Sequence, residues 1–305
     1  MKFPHFLAFA LNTPWAMEPS AMHTYAAMLA RTYARKSGVA ADIGHEADER
    51  IEPSAKISGA GKRPSGSIAL INVFGAIVQR ASELGPCEGG TGCEDIGGAL
   101  DAAVADETVS QILIRFSTPG GSVFGVQELG DKIRAAGKKK PVCGLADSMA
   151  ASAGYWLLSQ CGEAYVTPAG MVGSVGVYVA HEDVSKALED AGMKVTLVSA
   201  GKYKVEGQPF EPLGDEAKGS MQSQVDTYYR MFTGAVARGR NVPVEQVRNG
   251  FGEGRMLMAD AAKEAGMVDG VMTFDALVAK MMSTSRASRS SRASAQIATD
   301  IASVS

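Results

Sequence analysis

The strongest constraint on this chain is an alternation of patterns. Short β-rich runs, IALINVFG (68–75), QILIRF (111–116), PVCGLA (141–146), EAYVT (163–167), VGVYV (175–179) and KVTLVS (194–199), are bounded by Gly, Pro or polar clusters. Between them lie helical patterns at 95–105, 122–136, 150–160 and 182–191. Near-continuous apolar runs of this length read as buried strands, and strands separated by helices pair in parallel through crossover connections. The fold class is therefore α/β. A stripe of Met221, Val225, Tyr228, Phe232 and Val236 predicts a helix from Glu216 to Arg238 whose apolar side is core or a contact between copies. FDALVAKMM (274–282) predicts the last helical piece.

The flanks read differently. Met22, Tyr25, Leu29 and Tyr33 recur at steps of three and four, so residues 1–36 form an N-terminal arm with one amphipathic helix from Ser20 to Lys36. Residues 37–66 are rich in Gly, Ser, Pro and charge without periodicity, the pattern of a flexible linker. A compact domain spans 67–282, and 283–305 is a Ser/Arg-rich tail, expected to be disordered, with Arg286, Arg289 and Arg292 as a solvated basic face. GPCEGGTGCED (85–95) is glycine-rich enough for a mobile lid or a disordered connection.

Composition excludes several classes of function. With 30 basic against 33 acidic residues there is no bulk field to attract nucleic acid or an anionic membrane. Four cysteines in 305 residues, with no CxxC and no Cys/His quartet, argue for reduced thiols and against a disulfide scaffold or zinc. Cys143 and Cys161 are expected as core thiols. No apolar run reaches the ~20 residues that span a bilayer. The run FPHFLAFAL (3–11) is interrupted by Pro4 and His5 and followed by no clean cleavage site, so secretion is not expected.

Three loops carry the chemistry, each following a predicted strand, where open α/β sheets place their sites. In STPGGSVFG (117–125), Gly120 and Gly121 let the backbone turn tightly and present bare N–H groups to an oxyanion or a phosphate. No GxxxxGK[ST] accompanies them, which leaves nucleotide binding without a motif. In DSMAASAGYW (147–156), Ser152 is surrounded by Ala150, Ala151, Ala153 and Gly154, leaving its hydroxyl accessible. Taken alone, such a serine is an N-cap; as a nucleophile it needs a base. His181, the only histidine in the core domain, follows Ser152 too soon for the Ser, Asp, His order of an α/β-hydrolase, and Glu182 and Asp183 read as caps of the helix after it. A lysine serves as base when burial makes its ammonium form costly. SAGKYKVEGQPF (199–210) offers Lys202 and Lys204, and their spacing does not choose between them.

Together, STPGGSVFG, SMAASAGYW, GMVGSVGVYVAHED and AGKYKVEGQPFEPL resemble the signal peptide peptidase A family of Ser/Lys serine peptidases. LNTPWAMEP and GKYKVEGQPFEPLGDEAK are similar to its bacteriophage head-maturation branch, of the lambdoid protein C type. The resemblance implies a crotonase/Clp protease-like core of stacked βαβ units with a parallel sheet. It also implies Ser152 as nucleophile, Lys204 as general base, Gly121 and Ala153 as oxyanion-hole amides and Ser174 as the residue that orients the lysine. The implied function is a serine endopeptidase without metal or organic cofactor, acting on phage scaffold, capsid or portal proteins, its own chain among the candidates. It would work as a homo-oligomeric ring in the host cytoplasm or the prohead, with neither nucleic acid nor membrane as partner. The branch's DSPGG stands here as Ser117-Thr118-Pro119-Gly120-Gly121. Two alternatives remain, a catalytically inactive capsid-assembly protein and a crotonase-type acyl-CoA enzyme, the latter wanting a carboxylate and a basic phosphate pocket that the sequence does not clearly offer.

Overall fold

A computed structural model describes residues 14–18, 54–57, 66–81 and 90–284, the second of these as backbone only. The predicted arm helix, most of 37–66, and 285–305 lie outside the described residues. Parallel strands β3 (Ser67–Phe74), β6 (Val109–Thr118) and β8 (Val142–Ala151) form the centre of an eight-stranded sheet. Helix α1 (Cys93–Ala105) lies in the crossover from β3 to β6, and α2 (Val126–Gly137) joins β6 to β8. Within the stretch read as a linker, β2 (Ser54–Ile57) pairs antiparallel with β3 at the sheet edge. A second sheet of four short strands has the order β1 (Trp15–Met17), β7 (Gly120–Ser122), β4 (Ala76–Val78), β5 (Gly90–Gly92). Part of the glycine-rich loop is thus strand β5 and the start of α1, and 82–89 lie outside the described residues.

Why these residues form these strands follows from burial. Ile68, Ile71, Val73, Ile112, Leu113, Ile114 and Phe116 are all sealed from solvent, and each such side chain contributes roughly 1.5–3 kcal/mol on leaving water. Strand β8 runs farther than its apolar run predicted, because the helix expected from residue 150 begins only after Ser152. Its first half pairs with β9 (Glu163–Val166) and its second half with β10 (Met171–Gly173). Between them its pairing with β6 jumps, Phe116 facing Ala146 and Thr118 facing Ala150. Arg115 pins the bulge with a bond from Nε to Asp147 Oδ2 of 2.6 Å. A strand that changes neighbours opens a crevice at its carboxyl end, and Ser152 is the next residue.

Two predicted strands are absent. Residues 175–179 carry a single bridge, Trp15 to Tyr178, and 194–199 have no regular structure, with Val198 96% exposed. Their β-branched residues have propensity but no neighbouring strand, and pairing decides the outcome. Beyond α4 (Ser185–Asp190) the long helix α5 (Asp215–Arg240) divides: Phe232 and Val236 are buried, whereas Met221, Val225 and Tyr228 are only half-buried. Then come α6 (Val244–Gly250), β11 (Met256–Met258), α7 (Ala259–Glu264), β12 (Gly270–Val271) and α8 (274–284).

The C-terminal helices are tied back to the sheet by polar contacts. Arg240 forms a two-pronged pair with Asp269, whose carboxylate also accepts from Ala164 N at 2.7 Å. On α8, Lys280 Nζ donates to Glu163 Oε2 at 2.9 Å, and Tyr165 Oη donates to the same oxygen at 2.8 Å. The bond from Lys280, with that from Tyr165, holds the Glu163 carboxyl below its ordinary range. A lowered carboxylate stabilises the fold above its unfolded value and stops doing so as pH falls through its folded value. Both side chains are well exposed, so solvent screens the pair to under about 1 kcal/mol. Glu163→Gln is therefore expected to lower stability slightly at pH 7 and progressively less as pH falls below the ordinary carboxyl range, a narrowing that urea melts taken from pH 7 downward would register. Cys143 and Cys161 are buried thiols, burial pushing Cys143 up to about 12 and Cys161 higher still.

Candidate active site

Ser152 stands at the junction of β8 and α3 (Ala153–Leu158), with φ 51° and ψ −114°. No L-residue adopts that conformation without strain, and such outliers persist only where their surroundings impose them. Here the surroundings are rigid. All six residues of α3 are buried. Trp156 stacks on Phe232 of α5 at 4.6 Å between centroids, and Tyr155 Oη donates to Met267 O at 3.0 Å. Ser152 occupies the N-cap position but makes no capping bond through its side chain. Its Oγ donates to Gly176 O at 3.4 Å and its amide to Gly173 O at 2.7 Å. The hydroxyl is held across the crevice and not spent on the helix.

The glycine turn packs directly on this serine. A side chain on Gly120, which has φ 92°, would begin 3.0 Å from Ser152 Cβ and 2.9 Å from Ala151 O. On Gly121 it would begin 1.8 Å from Ile77 O. Only glycine fits at either position. Thr118 shapes the turn, donating from Oγ1 to Gly75 O at 2.6 Å and accepting from Gly120 N at 3.1 Å. A serine hydroxyl in that place could make both bonds, so the departure from the phage pattern adds a methyl, which fills the space a side chain on Gly154 would need, 2.4 Å away. At the other altered position Ser117 Oγ lies 3.0 Å from Ser148 Oγ. Ala153 opens α3, where first-turn amides have no acceptor within the helix.

Ser174 is 5% exposed with φ 54°, its amide donating to Arg255 O at 2.9 Å. It follows Gly173, the residue bonded to the Ser152 amide. The segments that bear Gly121, Ser152 with Ala153, and Ser174 are thus direct neighbours, Gly120 packing on Ser152 and Gly173 bonded to its amide. Lys204 is not with them. It lies in a turn at 202–207, exposed, and among the described residues its side chain has no hydrogen bond to Ser152, Ser174 or any other group. Lys202 donates to Tyr203 Oη at 2.7 Å and to Glu216 Oε1 at 3.0 Å. The bond to Tyr203, then that to Glu216, raises its affinity for its proton, the wrong direction for a base. His181 Nε2 pairs with Gln208 O at 3.2 Å, and Asp183, one residue ahead of the N-cap Val184, accepts through Oδ1 from Ser185 N at 2.9 Å.

The profile of peptidase family S49 matches residues 134–288, more than half of the sequence. The chain belongs to peptidase family S49. Its stacked βαβ core and parallel sheet are the crotonase/Clp protease-like arrangement of that family. The S49 chain is 31% identical over 277 residues to the head-tail preconnector protein GP5 of Enterobacteria phage P21, covering 87% of this chain and 54% of that protein. To capsid assembly protease C of Escherichia phage lambda it is 32% identical over 276 residues, covering 87% and 62%. To protease 4 of Salmonella typhi it is 31% identical over 218 residues, covering 70% and 34%. The chain thus spans little more than half the length of the two phage relatives. No helix among the described residues is long and apolar enough to cross a membrane.

Sequence reasoning about this S49 chain passed over two parts of the site. Thr118 entered only as a departure from a motif, although its hydroxyl sets the glycine turn. The strand Trp15–Met17 is too short to show a period, and its one signal was the LNTPWAMEP stretch.

Proposed function

We propose that the chain is a serine endopeptidase in which Ser152 attacks the scissile carbonyl and Lys204 accepts its proton. The observation that carries this reading is the strained, buried Ser152, packed on Gly120 and leaving its hydroxyl uncommitted to the helix that follows. As Oγ bonds to the carbonyl carbon, the oxygen's charge falls toward the amides of Gly121 and Ala153; loss of one such donor typically costs about 3 kcal/mol. The protonated lysine then gives its proton to the leaving amine. Water opens the acyl ester by the same route.

Exposed Lys204 must be covered and brought to Ser152 for this chemistry, since a lysine is a base only where its ammonium is poorly solvated. The segment that bears it exposes Met193, Val195, Leu197, Val198, Tyr203 and Phe210, an apolar surface of the kind that marks an interaction site. Assembly of several copies, in keeping with a ring, would bury that surface and deliver Lys204 of one copy to Ser152 of another. Ser174, whose hydroxyl has no other hydrogen bond among the described residues, would orient the amine. The names of the phage relatives point to head proteins as substrates, met in the host cytoplasm or the prohead. Each would bind as an extended strand. A cleft of about 460 Å³ beside Gly176, bordered by Val177, Val225 and Tyr229, offers room for a side chain.

A fluorophosphonate probe tests the nucleophile directly. The assembled wild-type protein should be labelled at Ser152, found by peptide mapping, and Ser152→Ala should not. Absence of labelling in the assembled protein would instead favour an idle assembly protein.

A further inference from the structure

An extended substrate needs a free strand edge beside the oxyanion turn, and β7 has none to give. One of its edges pairs with β4, Ile77 facing Gly121. The other is taken by β1, antiparallel, with Trp15 opposite Ser122, Ala16 opposite Gly121 and Met17 opposite Gly120. Val123 N donates to Pro14 O at 3.2 Å and Glu18 N to Pro119 O at 2.8 Å. Hydrogen-bonded pairs alternate along an antiparallel ladder, so the pair between these two, Ala16 with Gly121, is the bonded one. Ala16 O therefore accepts from the amide proposed for the oxyanion hole.

The opposite side of β1 is also engaged. Trp15 N donates to Tyr178 O at 2.8 Å and Tyr178 N to Trp15 O at 3.0 Å. Tyr178 belongs to the segment that runs on from Ser174 and contains Gly176, the acceptor of Ser152 Oγ. Strand β1 thus lies in a slot whose two walls are the two halves of the site. The point where a side chain on Gly120 would begin is 2.2 Å from Ala16 O and 3.0 Å from Ser152 Cβ, which sets that carbonyl close to the nucleophile. Trp15, Ala16 and Met17 are each no more than 3% exposed.

We infer that Trp15–Met17 is a resident pseudosubstrate strand: it fills the groove in which a substrate strand would bind, and substrates must displace it. This rests on the peptidase reading for its consequence, though not for its geometry. Ala16 marks the residue on the acyl side of the cut, so the groove suits extended segments with a small side chain at that place. A protein whose competent form is only fractionally open binds its ligand more weakly by that fraction.

The test uses the full chain and a fluorescein-labelled peptide, Asn-Thr-Pro-Trp-Ala-Met-Glu-Pro, copied from this segment. In a Ser152→Ala background, Ala16→Pro removes the N–H that β1 gives to β7 and should tighten peptide binding, read by anisotropy, by about 10-fold or more. Trp15→Cys with Tyr178→Cys forms the complementary lock, since a bonded antiparallel pair lies about 5.5 Å apart at Cα, within disulfide range. The oxidised protein should bind no peptide, and reduction should restore binding. Equal binding in the oxidised and reduced states, or no gain from Ala16→Pro in a folded protein, overturns the inference. Cleavage of fluorescent casein by the Ser152-intact lock separates the two ideas. Casein cut equally in both redox states refutes the pseudosubstrate and keeps the peptidase; redox-gated peptide binding with casein never cut keeps the strand's role and refutes the peptidase.

Discussion

Lys204→Met should lower the rate of casein cleavage by the assembled protein by about 10²–10⁴-fold, the contribution typical of a positioned general base. The far-ultraviolet circular dichroism and melting temperature of the unassembled chain should stay those of wild type, because there the Lys204 side chain is exposed and makes no hydrogen bond among the described residues. Lys202→Met should change the rate little, since that amine is engaged with Tyr203 and Glu216 in the state that keeps its proton. The pair of variants thus resolves what spacing along the chain leaves open. Mixing adds a second decision. Chains carrying Ser152→Ala and chains carrying Lys204→Met are each inactive alone, but co-assembled they would recover activity if the amine of one copy serves the hydroxyl of another. Full activity in Lys204→Met would remove the lysine from the mechanism, and an inactive mixture would confine the dyad to one chain.

What the sequence revealed of the fold was set by burial. Strands β3, β6 and the first half of β8 are enclosed on both faces, so their apolar runs are unbroken and easy to recognise. The second half of β8 was hidden because Asp147 and Ser148 interrupt the run, and they do so because the strand bulges there to change neighbours. Residues 194–199 have the composition of a strand without the pairing of one, and Val198 is almost wholly exposed. In the site, the small residues around Ser152 and the glycine pair were legible because close packing allows nothing larger. The difference between Lys202 and Lys204 was not, since it depends on Glu216, which reaches Lys202 only through the fold. Nor could three residues, Trp15 to Met17, announce that they pair with the turn opposite.

Gly121→Ala is expected to damage stability and catalysis together, because the position packed on β4 is also the one proposed as an oxyanion donor. The added methyl would start 1.8 Å from Ile77 O and 2.6 Å from Ile77 C, atoms of the neighbouring strand that have no rotamer to retreat into. Strands β4 and β7 must therefore separate, at a cost of roughly 1–3 kcal/mol for overpacking, which lowers the melting temperature by ~2–4 °C for each kcal/mol in a chain of this class. Separation also shifts the Gly121 amide from where an oxyanion would form, and a donor lost there lowers turnover by about 10²–10³-fold. Gly98→Ala supplies the opposite sign. That glycine is exposed on α1 with nothing within 4 Å of the new methyl, so alanine should stabilise by about 0.5–1 kcal/mol and leave cleavage unchanged. Thermal melts with kcat/KM on fluorescent casein measure both effects. A Gly121→Ala protein that melts and cleaves like wild type would mean that the turn is not packed on β4 as described, and the oxyanion assignment would fall with it.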